Sequence, residues 1–268
     1  MATASDLDAV LSDLQMETED LKALITPMTS DQWALPTPAV GWNIAHQIAH
    51  LEAGDHGVLL SIRAPDAFAE YVAEALVDPI GVIERQTADA ANRPTEQLLA
   101  KWLAQHAELA EALRAYPVGQ KIPWFGPPMS PTSMATARLM ETWAHGRDVA
   151  DALGVRRPAG WGLRHIANLG YRTRDFAFLI NNLAPPTEAF RVEITAPDGD
   201  LWAWGPEDAT QRVAGAAEDF CLLVTQRAHR DDLDVTAEGD DALRWLGIAQ
   251  AFAGPPGVGR RALRANQS

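Results

Sequence analysis

The apolar residues of this chain first leave helical spacing near residue 183, and that change limits the folds open to it. Before it they recur every three or four positions, the spacing of one helix face. After it they alternate, the spacing of a half-buried strand. In "SDLDAVLSDLQMETEDLKALI", Leu7, Val10, Leu11, Leu14, Leu21, Leu24 and Ile25 form a helical stripe. "TPMTSDQWALPTPAVGW" interrupts it with prolines and a glycine, and "NIAHQIAHLEAGDHGVLLSIR" resumes it with Asn43 in the N-cap position. "PDAFAEYVAEAL" and "PIGVIERQTADA" read as shorter helices, and "RPTEQLLAKWLAQHAELAEALRAYP" as a long one that ends at Pro117. A loop rich in Pro and Gly, "VGQKIPWFGPPMSPTS", leads into "MATARLMETWAHGRDVADALG", a helix stopped by Gly154. "GLRHIANLGYRTRDFAFLINNL" closes the helical run.

Beyond it, "AFRVEITAPDGDLWAWG" alternates around a "PDGD" turn, which predicts two short strands. "GAAEDFCLLVTQRA" reads as a helix, "DLDVTAEG" as a strand and "DALRWLGIAQAFA" as a helix. The fold class is therefore α+β. A helical domain over 1–183 and a small α+β domain over 187–256 meet at "LAPPTE", with an irregular tail over 257–268.

A formal charge of −14 disfavours nucleic acid, whose phosphates need a basic partner, and an anionic membrane surface as well. The one cysteine, Cys221, allows no intrachain disulfide and fits a reducing compartment. The N-terminus lacks the basic and apolar regions of a secretory signal, and no apolar run reaches the roughly 18 to 20 residues of a membrane span. A cytoplasmic protein with a small-molecule partner is the expectation.

Two helices carry polar pairs at metal-ligand spacing. "HQIAH" sets His46 and His50 four apart, and "ETWAH" does the same for Glu141 and His145, with Asp148 one turn on. Either pair alone is as well explained by a solvated helix face. Together they matter more, because helix-bundle metal sites are built from a Glu/His pair on one helix and further ligands on a facing one. Nitrogen and carboxylate ligands with a position left open are the make-up of a catalytic site.

These segments carry a resemblance. "VGWNIAHQIAHL" resembles the "PGW…AHL" segment of the DinB-like, mycothiol-dependent maleylpyruvate isomerase superfamily. "ETWAHGRDVADALG" resembles its Glu-x-x-x-His motif on the fourth bundle helix, and the order and separation of the two also agree. The C-terminal "DGDLWAWGPEDATQRVAGAAEDFCLLVTQRAHRDDLDV" is similar to the small α+β domain of a metal-binding branch of that superfamily. The resemblance implies an N-terminal DinB-like four-helix bundle and a metal triad on His50, Glu141 and His145. His46 matches no ligand of the wider family. It is taken as a proton shuttle, with a fourth ligand or a plain surface residue as alternatives. Asp148 is placed to hold a ligand imidazole in one tautomer, or else is an exposed charge near the helix end.

The chemistry implied is thiol chemistry: a divalent metal, with zinc the first candidate, and mycothiol or a similar low-molecular-weight thiol that attacks an electrophilic small molecule. The expected activity is a metal-dependent thiol S-transferase. A cis–trans isomerase of a maleylpyruvate-like diacid and a metal-containing binding protein without turnover are the alternatives. Cys221 lies among apolar residues and reads as a buried hydrophobe rather than a nucleophile. A polar thiol needs donors, for which Arg164, His165 and Arg172 are candidates, and Trp124 in the aromatic loop is a candidate pocket wall. The family's C-terminal domain contributes a functional arginine, assigned here to Arg227.

Overall fold

A computed structural model describes residues 4–263, so the last five residues of the expected tail lie outside the described residues. By its contacts the chain divides into two compact units, Met1–Trp161 and Gly162–Ser268.

The first unit is the helical bundle. It comprises α1 (Ala4–Ile25), the short α2 (Ser30–Trp33), α3 (Ile44–Arg63), α4 (Pro65–Val77), α5 (Pro79–Ala91), α6 (Thr95–Ala115) and α7 (Pro131–Leu153). The stripe read from the sequence of α1 is its buried face: Val10, Leu11, Leu14, Leu21 and Ile25 are all in the core. α3 contributes Ile44, Ile48, Leu51 and Val58, and α6 contributes Leu98, Trp102, Leu109 and Leu113. Asn43 caps α3 as expected, accepting from the His46 N–H at 3.0 Å. The start of α7 is fixed by Ser130, which accepts from the Ser133 N–H, and by Pro131 in the first turn. Its end is fixed by Gly154 at φ 65°, a left-handed position that Gly adopts without a Cβ penalty.

α7 departs from an ordinary amphipathic helix. It packs against α1, α3 and α6, and from Arg138 to Ala150 only Glu141 escapes full burial. Arg138, Thr142, His145, Arg147 and Asp148 are therefore interior groups that must find partners. One such set joins four helices, α7, α3, α6 and α1. Arg138 Nε donates to Asp55 Oδ1 at 2.9 Å, Asp55 Oδ2 lies 3.1 Å from His106 Nδ1, and His106 Nε2 lies 3.0 Å from Thr18 Oγ1. Burial would raise the Asp55 pKa, but the Arg138 charge and the bonds to His106 and Arg138 outweigh it and hold the carboxyl below its usual range.

The second unit contains α8 (Leu163–Arg172), α9 (Arg174–Ile180), β1 (Phe190–Thr195), β2 (Leu201–Trp204), β3 (Gln211–Ala216), α10 (Ala217–Val224), β4 (Val235–Glu238) and α11 (Asp240–Leu246). The sheet order is β2-β1-β3-β4. β1 is antiparallel to β2 around the expected turn and parallel to β3, and β3 is antiparallel to β4. Val192, Ile194 and Val213 face the core with Phe220 and Trp245.

Three features differ from the sequence reading. The segment read as one helix after Gly162 is two, broken at Thr173, whose backbone leaves helical geometry. β3 is a strand that the sequence reading left unassigned, and its last two residues take the start of the helix expected from Gly215, because "QRVAGA" is small and only weakly alternating; its parallel pairing with β1 is a long-range choice. The division into units falls after Trp161 rather than near residue 183, since α8 packs on α10 and on β2 within the second unit. Gly170 makes that packing possible: a Cβ there would stand 2.9 Å from the Val224 methyls.

Candidate metal centre

α3 and α7 lie side by side in the bundle, and three polar side chains meet on their seam. His50 Nε2 is 3.8 Å from Glu141 Oε2, and His145 Nε2 is 3.1 Å from the same oxygen. One ligand atom from each of the three residues lies within 4.8 Å of the others. The Glu141/His145 pair is one turn of α7, so helical geometry alone sets its spacing. His50 comes from α3, whose register against α7 is held one turn further on by Arg138, bonded both to Asp55 and to the Leu51 carbonyl.

The donor set fits a divalent ion. Tetrahedral ligands at about 2.0–2.1 Å from zinc stand about 3.4 Å apart, and the two distances to Glu141 straddle that value. Two imidazoles and one carboxylate are a ligand set that leaves a position open. The His50 and Glu141 side chains are 23% and 19% exposed, whereas His145 is 8% exposed, so the group opens toward solvent on the His50/Glu141 side. Burial would raise the Glu141 pKa. Hydrogen bonds and charge from His145 and His50 outweigh it and hold the carboxylate well below its usual range.

Around this group stand residues that sequence reasoning passed over. The Trp42 ring lies 5.3 Å from His50, 6.1 Å from His145 and 6.3 Å from His46, forming an aromatic wall beside all three histidines. Gln47 Oε1 makes a short hydrogen bond with His145 Nδ1. The signal for Gln47 was present: it shares the buried stripe of α3 with Ile44, Ile48 and Leu51 and is fully buried itself. A polar residue on an apolar stripe calls for a buried partner.

Residues 14–150 match the family described as the mycothiol maleylpyruvate isomerase N-terminal domain. The chain belongs to that family. All three residues of the candidate centre fall inside the matched segment. Residues 186–238, which run through the sheet from β1 to β4, match a second family, described as wyosine base formation. Two curated relatives are the uncharacterized proteins MT0041 and Rv0036c of Mycobacterium tuberculosis. Each is 55% identical over 256 residues, covering 96% of this chain and 100% of the relative. Among solved structures, a mycothiol-dependent maleylpyruvate isomerase shares the fold with a TM-score of 0.61 at 15% identity, over 88% of this chain and 95% of that one. A histidine-to-alanine mutant of such an isomerase gives 0.60 at 14%, with the same coverage.

Within this maleylpyruvate isomerase family chain, the remaining expected site residues lie as follows. His46 stands outside the group of three. Its Nδ1 closes the cap of α3 with Asn43, its ring stacks on Trp42, and burial lowers its pKa. Asp148 Oδ2 is 3.9 Å from His145 Nδ1, an electrostatic rather than a hydrogen-bonding distance; Gln47 occupies the bonding position expected of Asp148. Trp124 stacks on Phe68 at 5.7 Å, beside Phe125, with its ring against Gly57. Gly57 follows His50 by two turns, about 10 Å along α3, so Trp124 belongs to an apolar cluster apart from the histidines. Arg164, His165 and Arg172 are on α8 of the second unit, with the two arginines exposed. Arg227 is half-buried in that unit, donating to the Thr225 carbonyl at 2.8 Å. Cys221 is fully buried, its thiol 3.5 Å from the Leu163 carbonyl.

Proposed function

We propose that this protein is a mycothiol-dependent isomerase acting on a maleylpyruvate-like cis-unsaturated diacid. The reading is carried by the His50, Glu141 and His145 group, which stands within the segment that matches the isomerase family. The S-transferase expected first from the sequence gives way to the isomerase because both the family match and the shared fold point to isomerases.

His50, Glu141 and His145 would hold a divalent ion, zinc by ligand type. When bound, the ion supplies positive charge that favours the thiolate of an incoming thiol, whose free pKa is about 8.5. Trp42 walls one side of the site and limits water there. The thiolate adds to one alkene carbon: a C–S bond forms and the π pair moves into the conjugated carbonyl. The former double bond then rotates as a single bond, and the pair returns to expel the thiolate. The product is trans and the thiol is recovered. With Nδ1 of His46 donating to Asn43 Oδ1 at the helix cap, Nε2 keeps the free lone pair and is the atom we assign to proton transfer; burial lowers the ring's pKa, which favours the neutral form that accepts. Arg227 is assigned to a substrate carboxylate, by the resemblance of its domain.

The test is a mass balance. Zinc-loaded protein is incubated with mycothiol and maleylpyruvate while the trans product and free thiol are followed. Turnover with free thiol unchanged is the expected result. Stoichiometric loss of thiol would establish a transferase, and retained zinc without turnover would leave a binding protein.

A further inference from the structure

We infer that Gln47 is the positioning residue of the candidate centre, fixing through Thr37 and the Trp42 carbonyl which nitrogen of His145 faces the ion. The consequence for metal rests on the reading above. The geometry rests on hydrogen-bond directions alone.

The chain of bonds has a determined sense. Thr37 Oγ1 lies 2.9 Å from the Trp42 carbonyl oxygen, and since a carbonyl cannot donate, the hydroxyl hydrogen must lie between them. Thr37 Oγ1 then has only lone pairs for its other neighbour, so it accepts from the Gln47 amide nitrogen at 2.8 Å. That turns Gln47 Oε1 toward His145 Nδ1, which must carry a hydrogen to bond it. The reverse sense would set Thr37 Oγ1 and the Trp42 oxygen 2.9 Å apart with no hydrogen between them. Gln47 is fully buried, so water offers no substitute partner for either end of its amide.

Nε2 of His145 is left as the coordinating atom. It faces Glu141 Oε2 at 3.1 Å, where two lone pairs would repel unless a cation or a proton stands between them. Gln47 thus aims His145 for metal binding. The usual outer partner of a ligand histidine is a carboxylate or backbone carbonyl. A neutral amide does the same without adding a negative charge beside Glu141.

Full-length protein, stripped of metal and then titrated with Zn2+ alone, tests this in two ways. Long-range 1H–15N spectra of the His145 ring report which nitrogen is protonated, and chelator competition gives the zinc Kd. In the parent, Nδ1 should be protonated in both the metal-free and zinc-bound states. Gln47→Leu should lose that preference and weaken zinc by about 10- to 100-fold. Thr37→Val, a milder change at a half-buried site, removes the acceptor that orients the amide and should shift both readouts the same way. Gln47→Glu still accepts from Nδ1 and should restore the tautomer. Near-UV circular dichroism identifies any variant that fails to fold, in which case Thr37→Val decides. The inference is overturned if parent His145 carries its hydrogen on Nε2 with Nδ1 bare, or if Gln47→Leu and Thr37→Val leave tautomer and Kd unchanged while zinc still binds. A parent with protonated Nδ1 and no zinc affinity would instead uphold the relay and refute the proposed function.

Discussion

Replacing Asp55 by Asn changes one buried charge while nearly keeping shape, so its effect can be worked from the structure. Asp55 is 1% exposed and Arg138 5% exposed, and their contact at 2.9 Å is shared with His106. Without the carboxylate, the Arg138 guanidinium keeps its bond to the Leu51 carbonyl at 3.3 Å and is buried with an uncompensated charge. Breaking a buried pair by removing one partner costs about 3–5 kcal/mol. Asn retains one acceptor oxygen, which places the expected loss near 3 kcal/mol. The companion change is Asp55→Leu with Arg138→Met, which removes both charges and should cost clearly less than the sum of the two single changes. Urea unfolding followed by tryptophan emission suits the measurement, because six of the nine tryptophans lie in the first unit. A loss under about 1 kcal/mol for Asp55→Asn would mean that Arg138 reaches water and would refute the reasoning. So would a double variant as costly as the sum.

Other outcomes follow from the same geometry. His50→Ala should abolish stoichiometric zinc, read by elemental analysis, since two ligands on α7 are too few; full occupancy would remove His50 from the centre. Cys221→Ser should leave turnover and zinc content nearly intact, because the buried thiol is not the nucleophile; a folded but inactive variant would contradict an external thiol. Gly54→Ala, which in an exposed helix would gain up to about 1 kcal/mol, should instead destabilise. The new Cβ would stand 2.5–2.7 Å from the Arg138 guanidinium atoms, and Arg138 is pinned by Asp55; a raised Tm would show that it can step aside. Asp55 and Glu141 both have folded pKa values below their unfolded ones, so the stability they confer is present above about pH 4 and is lost as pH falls through the lower folded values. Asp55→Asn should flatten that acid limb in urea titrations run from pH 6 to 3.

The sequence disclosed the parts of this molecule that depend on short-range order. The stripes of α1, α3 and α6, the Asn43 cap and the Gly154 stop all follow from residues within a turn or two of one another, and the His50, Glu141 and His145 positions were carried by two local motifs. What was not legible depends on residues distant in sequence. Strand β3 exists because β1 offers it a parallel edge. α8 leaves the bundle because Gly170 lets it approach Val224. Gln47 takes the place expected of Asp148 because α3 brings it to His145 from 98 positions away. Helical spacing could place Asp148 near His145, but it could not show that an amide from another helix would be nearer.

The uneven exposure of the three candidate ligands bears on exchange kinetics. His145 is inside, whereas His50 and Glu141 are each about one-fifth open. The two helices that carry them are held by buried apolar side chains, Ile48 and Leu51 on α3 and Leu139 and Trp143 on α7, that need no ion to stay in place. An attacking chelator can therefore reach an ion from the open side and draw it off while α3 and α7 remain docked. In zinc fingers, by contrast, metal and fold are lost together. Loss and reloading of an ion held by these three residues would run through this open side, governed by the competing ligand's concentration rather than by an unfolding rate.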